Sequence, residues 1–147
     1  MAIIIRSARA DDEYAIRLIV RAAWFNPVGL DWRNFMVVDD GWQLIGVGQV
    51  RPHRDGSREL ASLAVVPEYQ EHGVASAIVG GLLKQEHGAI HLICLERQIP
   101  FYARFGFQRV ERSAMPPYFW RMDRLINALL WLVRRPERLA VLRRDPS

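Results

Sequence analysis

Two Asp-Gly dipeptides constrain this chain more than any other feature. Asp40-Gly41 and Asp55-Gly56 separate three apolar, β-branched runs: "FMVVDD" (35–40), "WQLIGVGQVRP" (42–52) and "RELASLAVV" (58–66). Asp-Gly accepts the positive φ angles of a two-residue hairpin turn, whose twist matches that of its flanking strands. Three runs joined this way predict an antiparallel meander. Pro67 has no N–H to give a ladder, so it ends the third run. A helix is predicted from about Val74, with Ile78, Leu82 and Leu83 on one side and Gly88 as its stop. "AIHLICL" (89–95) then reads as a buried strand. Residues 58–95 have the length of a strand–helix–strand crossover, which requires a parallel neighbour. The sheet is therefore predicted to be mixed.

The flanking segments extend this pattern. "AIIIRSA" (2–8) reads as a strand. Residues 10–25 read as a helix that Asp11 or Asp12 can cap, with Ile16, Ile19, Val20 and Ala23 on one face. "NPVGLDWRNF" is a loop or a broken helix. "QIPFYARFGF" (98–107) predicts a short helix ending at Gly106, followed by a strand "FQRVER"; "SAMPPYFWR" is expected to be a loop. A last helix is expected from about Met122 to Arg135. Its apolar face would hold Met122, Leu125, Ile126, Leu129, Leu130 and Val133. The fold class is α/β, a mixed sheet with helices on its faces. Residues 1–121 are expected to form the main domain, with 122–147 as an amphipathic helix and basic tail. Its own sheet, a second copy of the chain in a homodimer, or an anionic membrane surface could cover that helix; the first two are preferred.

Charge and cysteine content narrow the function classes. The net charge is +4 over 147 residues. Arginines 121, 124, 134, 135, 138, 143 and 144 face three acids from residue 121 onward, so the tail carries the whole excess. The neutral remainder offers no basic face for nucleic acid. Cys94 is the single cysteine, which excludes an internal disulfide and a cysteine-built metal site. His53, His72, His87 and His91 have no metal-ligand spacing, so no metal is expected. The N-terminus does not read as a secretory signal, and no run approaches the roughly 20 apolar residues that cross a bilayer. A cytoplasmic protein without membrane contact is expected.

The junction "AVVPEYQEHGVASAIV" (64–79) carries the functional signal. The first amides of a helix have no internal acceptor and attract anions. Gly73 permits unusual φ values and Ala75 is small, so amides from Glu71 to Ser76 could approach one phosphate. Any strand-to-helix turn could also hold one glycine. Gln70, Gly73 and Ala75 nevertheless fill the three defined positions of the Gln/Arg-x-x-Gly-x-Gly/Ala signature of GNAT-type N-acetyltransferases, and "LAVVPEY" resembles the strand before it. "PFYARFGF" (100–107) is similar to that family's Phe-Tyr-x-x-x-Gly-Phe segment, at the expected distance. The chain from residue 2 to about 112 thus resembles a GNAT domain.

The resemblance implies a central, mostly antiparallel sheet with splayed central strands and acetyl-coenzyme A as acyl donor. Backbone groups of Leu63, Ala64, Val65 and Val66 would pair with pantetheine. Gln70, Glu71, His72, Gly73, Val74, Ala75 and Ser76 would form the pyrophosphate loop. A primary amine, on a small molecule or a protein, would attack the thioester directly. Tyr102 matches the family's general acid, and that role is preferred over a ring merely packed on the sheet because the surrounding segment matches. Glu59, eleven residues before Gln70, matches the glutamate base of some members; a solvated strand end, with a water chain as base, is equally compatible. Strand alternation puts Glu59, Ala61, Leu63 and Val65 on one face. Cys94 reads as a buried thiol rather than a nucleophile.

Three departures stand beside these matches. Glu71 replaces a frequent glycine and would repel a phosphate unless turned away. Arg97 and Gln98 stand where an asparagine is frequent. A final strand is not visible after Met115, where Pro116 and Pro117 intervene. A catalytically silent GNAT-fold module that binds coenzyme A or a partner protein is the alternative reading. The aromatic segments 24–35 and 115–120 are candidate walls of an acceptor pocket.

Overall fold

The computed structural model describes residues 2–23 and 29–146. The chain divides into two compact units, Met1–Arg51 with Leu60–Glu86, and Pro52–Glu59 with His87–Ser147.

The first unit is built on the meander. Strands β1 (Ile4–Ser7), β2 (Phe35–Asp39) and β3 (Leu44–Pro52) pair antiparallel in that order, with β4 (Arg58–Val65) next to β3. Asp40 closes the first hairpin by accepting the amides of Trp42 and Gln43 through Oδ1. Helix α1 (Glu13–Ala22) packs Ile16 and Val20 onto Phe35, Val37, Leu44, Val47 and Ala64. It is shorter than the 10–25 expected, because Ala10–Asp12 form a separate 3-10 turn. Asp12 does not cap α1. Its carboxylate instead receives both guanidinium nitrogens of Arg6, at 2.7 and 3.1 Å, and the Arg9 amide at 2.7 Å. Trp24–Val28, part of the segment expected to wall an acceptor pocket, lie outside the described residues.

Helix α2 (Val74–Lys84) packs against β3 at Gly46 and Gly48. A Cβ on Gly46 would lie 2.7 Å from Val74, and one on Gly48 2.7 Å from Ile78, so this close approach needs glycine. Val47 points to the α1 side, as strand alternation requires.

In β4 the simple alternation expected over 59–65 fails. Ser62 sits at φ +57°, in the left-handed region, and its hydroxyl accepts from the buried Gln49 amide at 3.0 Å. Glu59 and Leu60 are both buried, and Ala64 is the next fully buried position.

The second unit is organised around β5 (Ile90–Leu95). One edge of β5 meets the start of β4, with Glu59 and His91 as parallel register partners. Its other edge pairs antiparallel with β7 (Leu139–Arg144), which pairs with β6 (Gln108–Arg109). The final strand therefore exists, in the basic tail that was expected to follow a last helix. It lies between two other strands and reads as a short apolar run, Leu139 to Leu142, rather than an alternation. Its flanking arginines disguised it.

Helix α3 (Ile99–Ala103) precedes β6, and α4 (Pro117–Leu132) links β6 to β7. Helix α4 starts inside the segment read as a loop, because Pro117 suits a first helical turn. Its expected apolar face is also rotated. Phe119 and Asp123 are buried, whereas Leu125, Leu129 and Val133 are exposed. Asn127 explains the roll: its amide donates to Leu139 O at 3.3 Å and accepts from Leu139 N at 2.9 Å, satisfying the start of β7. Asn127 also donates to Asp123 at 3.0 Å. A buried polar network specifies orientation where scattered leucines do not. Among the described residues, no helix is long and apolar enough to cross a membrane.

Candidate active site

The loop after β4 is braced by side chains and leaves backbone amides uncapped at its end. Pro67–Tyr69 form a 3-10 turn. The Tyr69 hydroxyl donates to Asp40 Oδ2 at 3.1 Å, which ties the loop to the β2–β3 turn and raises the Tyr69 pKa. Gln70 Nε2 donates to Val65 O at 3.1 Å, so this signature residue braces the loop from within. His72 Nδ1 donates to Gln70 O at 2.8 Å, since a carbonyl only accepts.

Two left-handed residues then turn the chain into α2. Gly73, at φ +80°, is its N-cap and brings no capping side chain. The amides of Val74, Ala75 and Ser76 therefore open the helix with no intrahelical acceptor. Glu71 stands at φ +66°, is exposed, and carries strain that a glycine would not. Val74 turns its side chain into the core, while Ala75 and Ser76 are half-buried.

Of the residues expected to pair with pantetheine, Leu63, Val65 and Val66 are half-buried and Ala64 is buried. The Val66 N–H is already given to Ile45 O at 2.9 Å. An apolar cleft of about 220 Å³ lies between the end of α1, at Leu18, Ile19, Ala22 and the following Ala23, and the segment Val65, Val66, Pro67 and Gln70.

The second unit carries the titratable side chains. Tyr102 is half-buried on α3, edge-on to Phe101 at 5.0 Å and to Phe107 at 6.0 Å. Burial, with Cys94 nearby, pushes its phenol up to about 12, so it holds its proton throughout the neutral range. Among the described residues its hydroxyl has no hydrogen-bond partner. Burial also pushes the Cys94 thiol up to about 11. That is the state of an inert buried thiol rather than a nucleophile.

Glu59 is buried, not a solvated strand end. Its Oε1 lies 2.8 Å from His53 Nε2, with both side chains largely withdrawn from solvent. His53 stacks on Tyr118 of α4 at 3.7 Å and meets Phe119 edge-on at 5.8 Å. Asp55, in the same hairpin, accepts the Tyr118 amide at 3.0 Å. Burial alone would raise the Asp55 pKa. Bonds from the Ser57 hydroxyl, the Tyr118 amide and the Ser57 amide, with the nearby His53, outweigh it and hold Asp55 at about 2.

His53 was not singled out from the sequence. A signal existed, because His53 lies opposite Ser57 in the hairpin and Glu59 is its diagonal neighbour on the same face. The two aromatics at the head of α4 were placed in a candidate wall, but not on this histidine.

The whole chain shares its fold with solved structures of low sequence identity. The Mycobacterium tuberculosis protein Rv2747, solved in complex with coenzyme A, matches with a TM-score of 0.74 at 22% identity, covering 98% of this chain and 99% of that one. N-acetylglutamate synthase from Neisseria gonorrhoeae, complexed with coenzyme A and N-acetyl-glutamate, matches with a TM-score of 0.76 at 16% identity. That match covers 100% of this chain and 36% of the synthase. A curated relative, an uncharacterized N-acetyltransferase of Chlorobaculum tepidum, is 28% identical over 91 residues, which are 60% of this chain and 59% of the relative. The acetyltransferase (GNAT) domain family matches residues 31–109, and the chain belongs to that family.

Proposed function

We propose that the protein is an N-acetyltransferase that moves the acetyl group of acetyl-coenzyme A directly to a primary amine. The observation that carries this reading is the loop of the family-matched segment. Gly73 turns left-handed at the head of α2 and leaves the amides after it uncapped by any side chain. Such a helix start accepts an anion such as a pyrophosphate. Gln70, Glu71, His72, Gly73, Val74, Ala75 and Ser76 form the pyrophosphate loop in this proposal, and backbone groups of Leu63, Ala64, Val65 and Val66 accompany the pantetheine.

Proton transfers complete the reaction. The acceptor ammonium gives a proton to Glu59, and the neutral amine nitrogen bonds to the acetyl carbonyl carbon. The carbon–sulfur bond breaks, the leaving thiolate takes a proton from the Tyr102 hydroxyl, and the second proton of the nitrogen leaves through solvent as the amide forms and restores the phenol. A phenol held at about 12 keeps its proton at neutral pH; its transfer to a thiolate, whose thiol ordinarily titrates near 8.5, is uphill by itself and is drawn forward by that loss of the nitrogen's proton. The lone, buried Cys94 suits a reducing compartment, and we place the protein in the cytoplasm.

Calorimetry with acetyl-coenzyme A tests the binding half, and coenzyme A release across a panel of primary amines tests the chemistry. Absence of binding at millimolar ligand would sink the proposal. A second reading, a coenzyme A-binding module without turnover, is favoured by one observation: Glu59 Oε1 is already held by His53. Binding without acetylation of any amine would select that module.

A further inference from the structure

The second unit contains a buried polar side chain that the proposed chemistry leaves unused. His91 is 5% exposed, and neither of its ring nitrogens has a hydrogen-bond partner among the described residues. Buried polar groups without partners are uncommon and mark a missing ligand or water.

The surroundings of His91 identify the kind of ligand. Glu59 is its register partner on the neighbouring parallel strand, so both side chains project to the same face of the sheet. Phe119 stacks on the His91 ring at 5.0 Å and presents itself edge-on to His53, which holds Glu59 at 2.8 Å. Tyr118 covers His53, and Asp55 fixes the Tyr118 amide, so the first turn of α4 is anchored over this face. A carboxylate, a free imidazole and aromatic rings are thus gathered in one water-poor place. That combination attracts a cation carrying several N–H donors.

We propose that this face of the second unit is the acceptor site, and that His91 binds the substrate's ammonium together with Glu59. The ligand class is a small primary ammonium. Glu59 takes one N–H and compensates the charge, and the His91 ring nitrogen that carries no proton takes another. Burial and the Arg143 charge lower the His91 pKa against the opposing pull of Asp55 and Asp145, which keeps one ring nitrogen an acceptor at neutral pH. This assignment rests on the transferase reading for the role of the amine, but its binding test does not.

Ring-nitrogen NMR of the full chain, titrated at pH 7.5 with ethylammonium chloride and separately with ethanol, reads the site directly. Ethylammonium is expected to move the His91 signals saturably, and ethanol is not. Glu59→Gln should abolish the shift while acetyl-coenzyme A still binds in calorimetry. His91→Phe, which keeps the stack on Phe119, should raise KM for any accepted amine about tenfold with acetyl-coenzyme A binding unchanged, the loss expected for one hydrogen bond to a charged group. A His91 signal that never saturates, or a shift that survives Glu59→Gln, overturns the proposal. Loss of acetyl-coenzyme A binding with the ammonium shift intact would instead refute the transferase and leave the ammonium site standing.

Discussion

The loop at residues 67–76 and the His53–Glu59–His91 face solve the problem of presenting polar groups in opposite ways. The loop uses its side chains as internal braces. Gln70 and Tyr69 brace it, His72 folds back on its own backbone, and the exposed amides belong to whatever residues stand at the head of α2. The second unit does the reverse. There the polar groups gathered are side chains, which the backbone of β4, β5 and α4 brings together. A site made of amides tolerates substitution as long as its φ angles survive. A site made of buried side chains tolerates almost none, because each lost partner leaves another polar group stranded.

The sharpest way to break this contrast is Tyr102→Phe. It is expected to lower kcat about 100-fold or more, near 2.7 kcal/mol of transition-state stabilisation, with acetyl-coenzyme A affinity unchanged. A fall in acetyl-coenzyme A affinity of similar size would erase the division between a binding loop and a reacting side chain. Next in size is Asp12→Asn, which removes a charge partner from Arg6 in the first unit. A loss of about 2 kcal/mol in urea unfolding is expected, with activity per folded molecule retained. The Arg6 hydrogen bonds hold the Asp12 pKa below the ordinary carboxylate value despite its burial. Its contribution is therefore complete above about pH 4 and is lost as pH falls through the folded-state value. Stability that is flat from pH 7 down to pH 2 would contradict this.

The loop supplies a smaller pair of effects with opposite signs. Glu71→Gly should stabilise the chain by about 1 kcal/mol, by releasing a left-handed residue, and should tighten acetyl-coenzyme A binding by removing a negative charge. Gly73→Ala should cost about 1 kcal/mol in thermal unfolding through φ alone, because no atom lies within 4 Å of the added Cβ. If Gly73→Ala instead abolishes acetyl-coenzyme A binding without changing stability, the loop depends on more than backbone angle. The smallest expected effect belongs to Asp55. Held at about 2, its carboxylate anchors α4 above the ordinary carboxylate value and releases it between about pH 4 and pH 2. A shift of the Tyr118 amide resonance over that range would report the release.

Most of the first unit was legible in the sequence because its signals are local. Asp-Gly turns, a proline at the strand end and a 3.6-residue apolar repeat each act within a few residues. The turn into α2 was legible for the same reason, down to the question of Glu71, which stands exposed in a left-handed conformation. The second unit hid its key features behind distance. Strand β7 was masked by arginines and recognisable only once β5 and β6 claimed its two edges. The roll of α4 followed from Asn127 meeting Leu139, twelve residues away. The alternation of β4 broke at Ser62, whose left-handed turn has no signal in "ELASLAV".

The sequence alone determined the meander, the crossover, the family and the glycine turn into α2, since hydrophobic period and turn chemistry are written residue by residue. Tertiary structure decided which polar side chains were buried together. Glu59 was a candidate base from the sequence, but its burial and its His53 partner came only from the folded hairpin. His91 became a site residue only when Phe119 closed over it with no partner for its nitrogens. Burial depends on what the rest of the chain covers, and no local pattern encodes that.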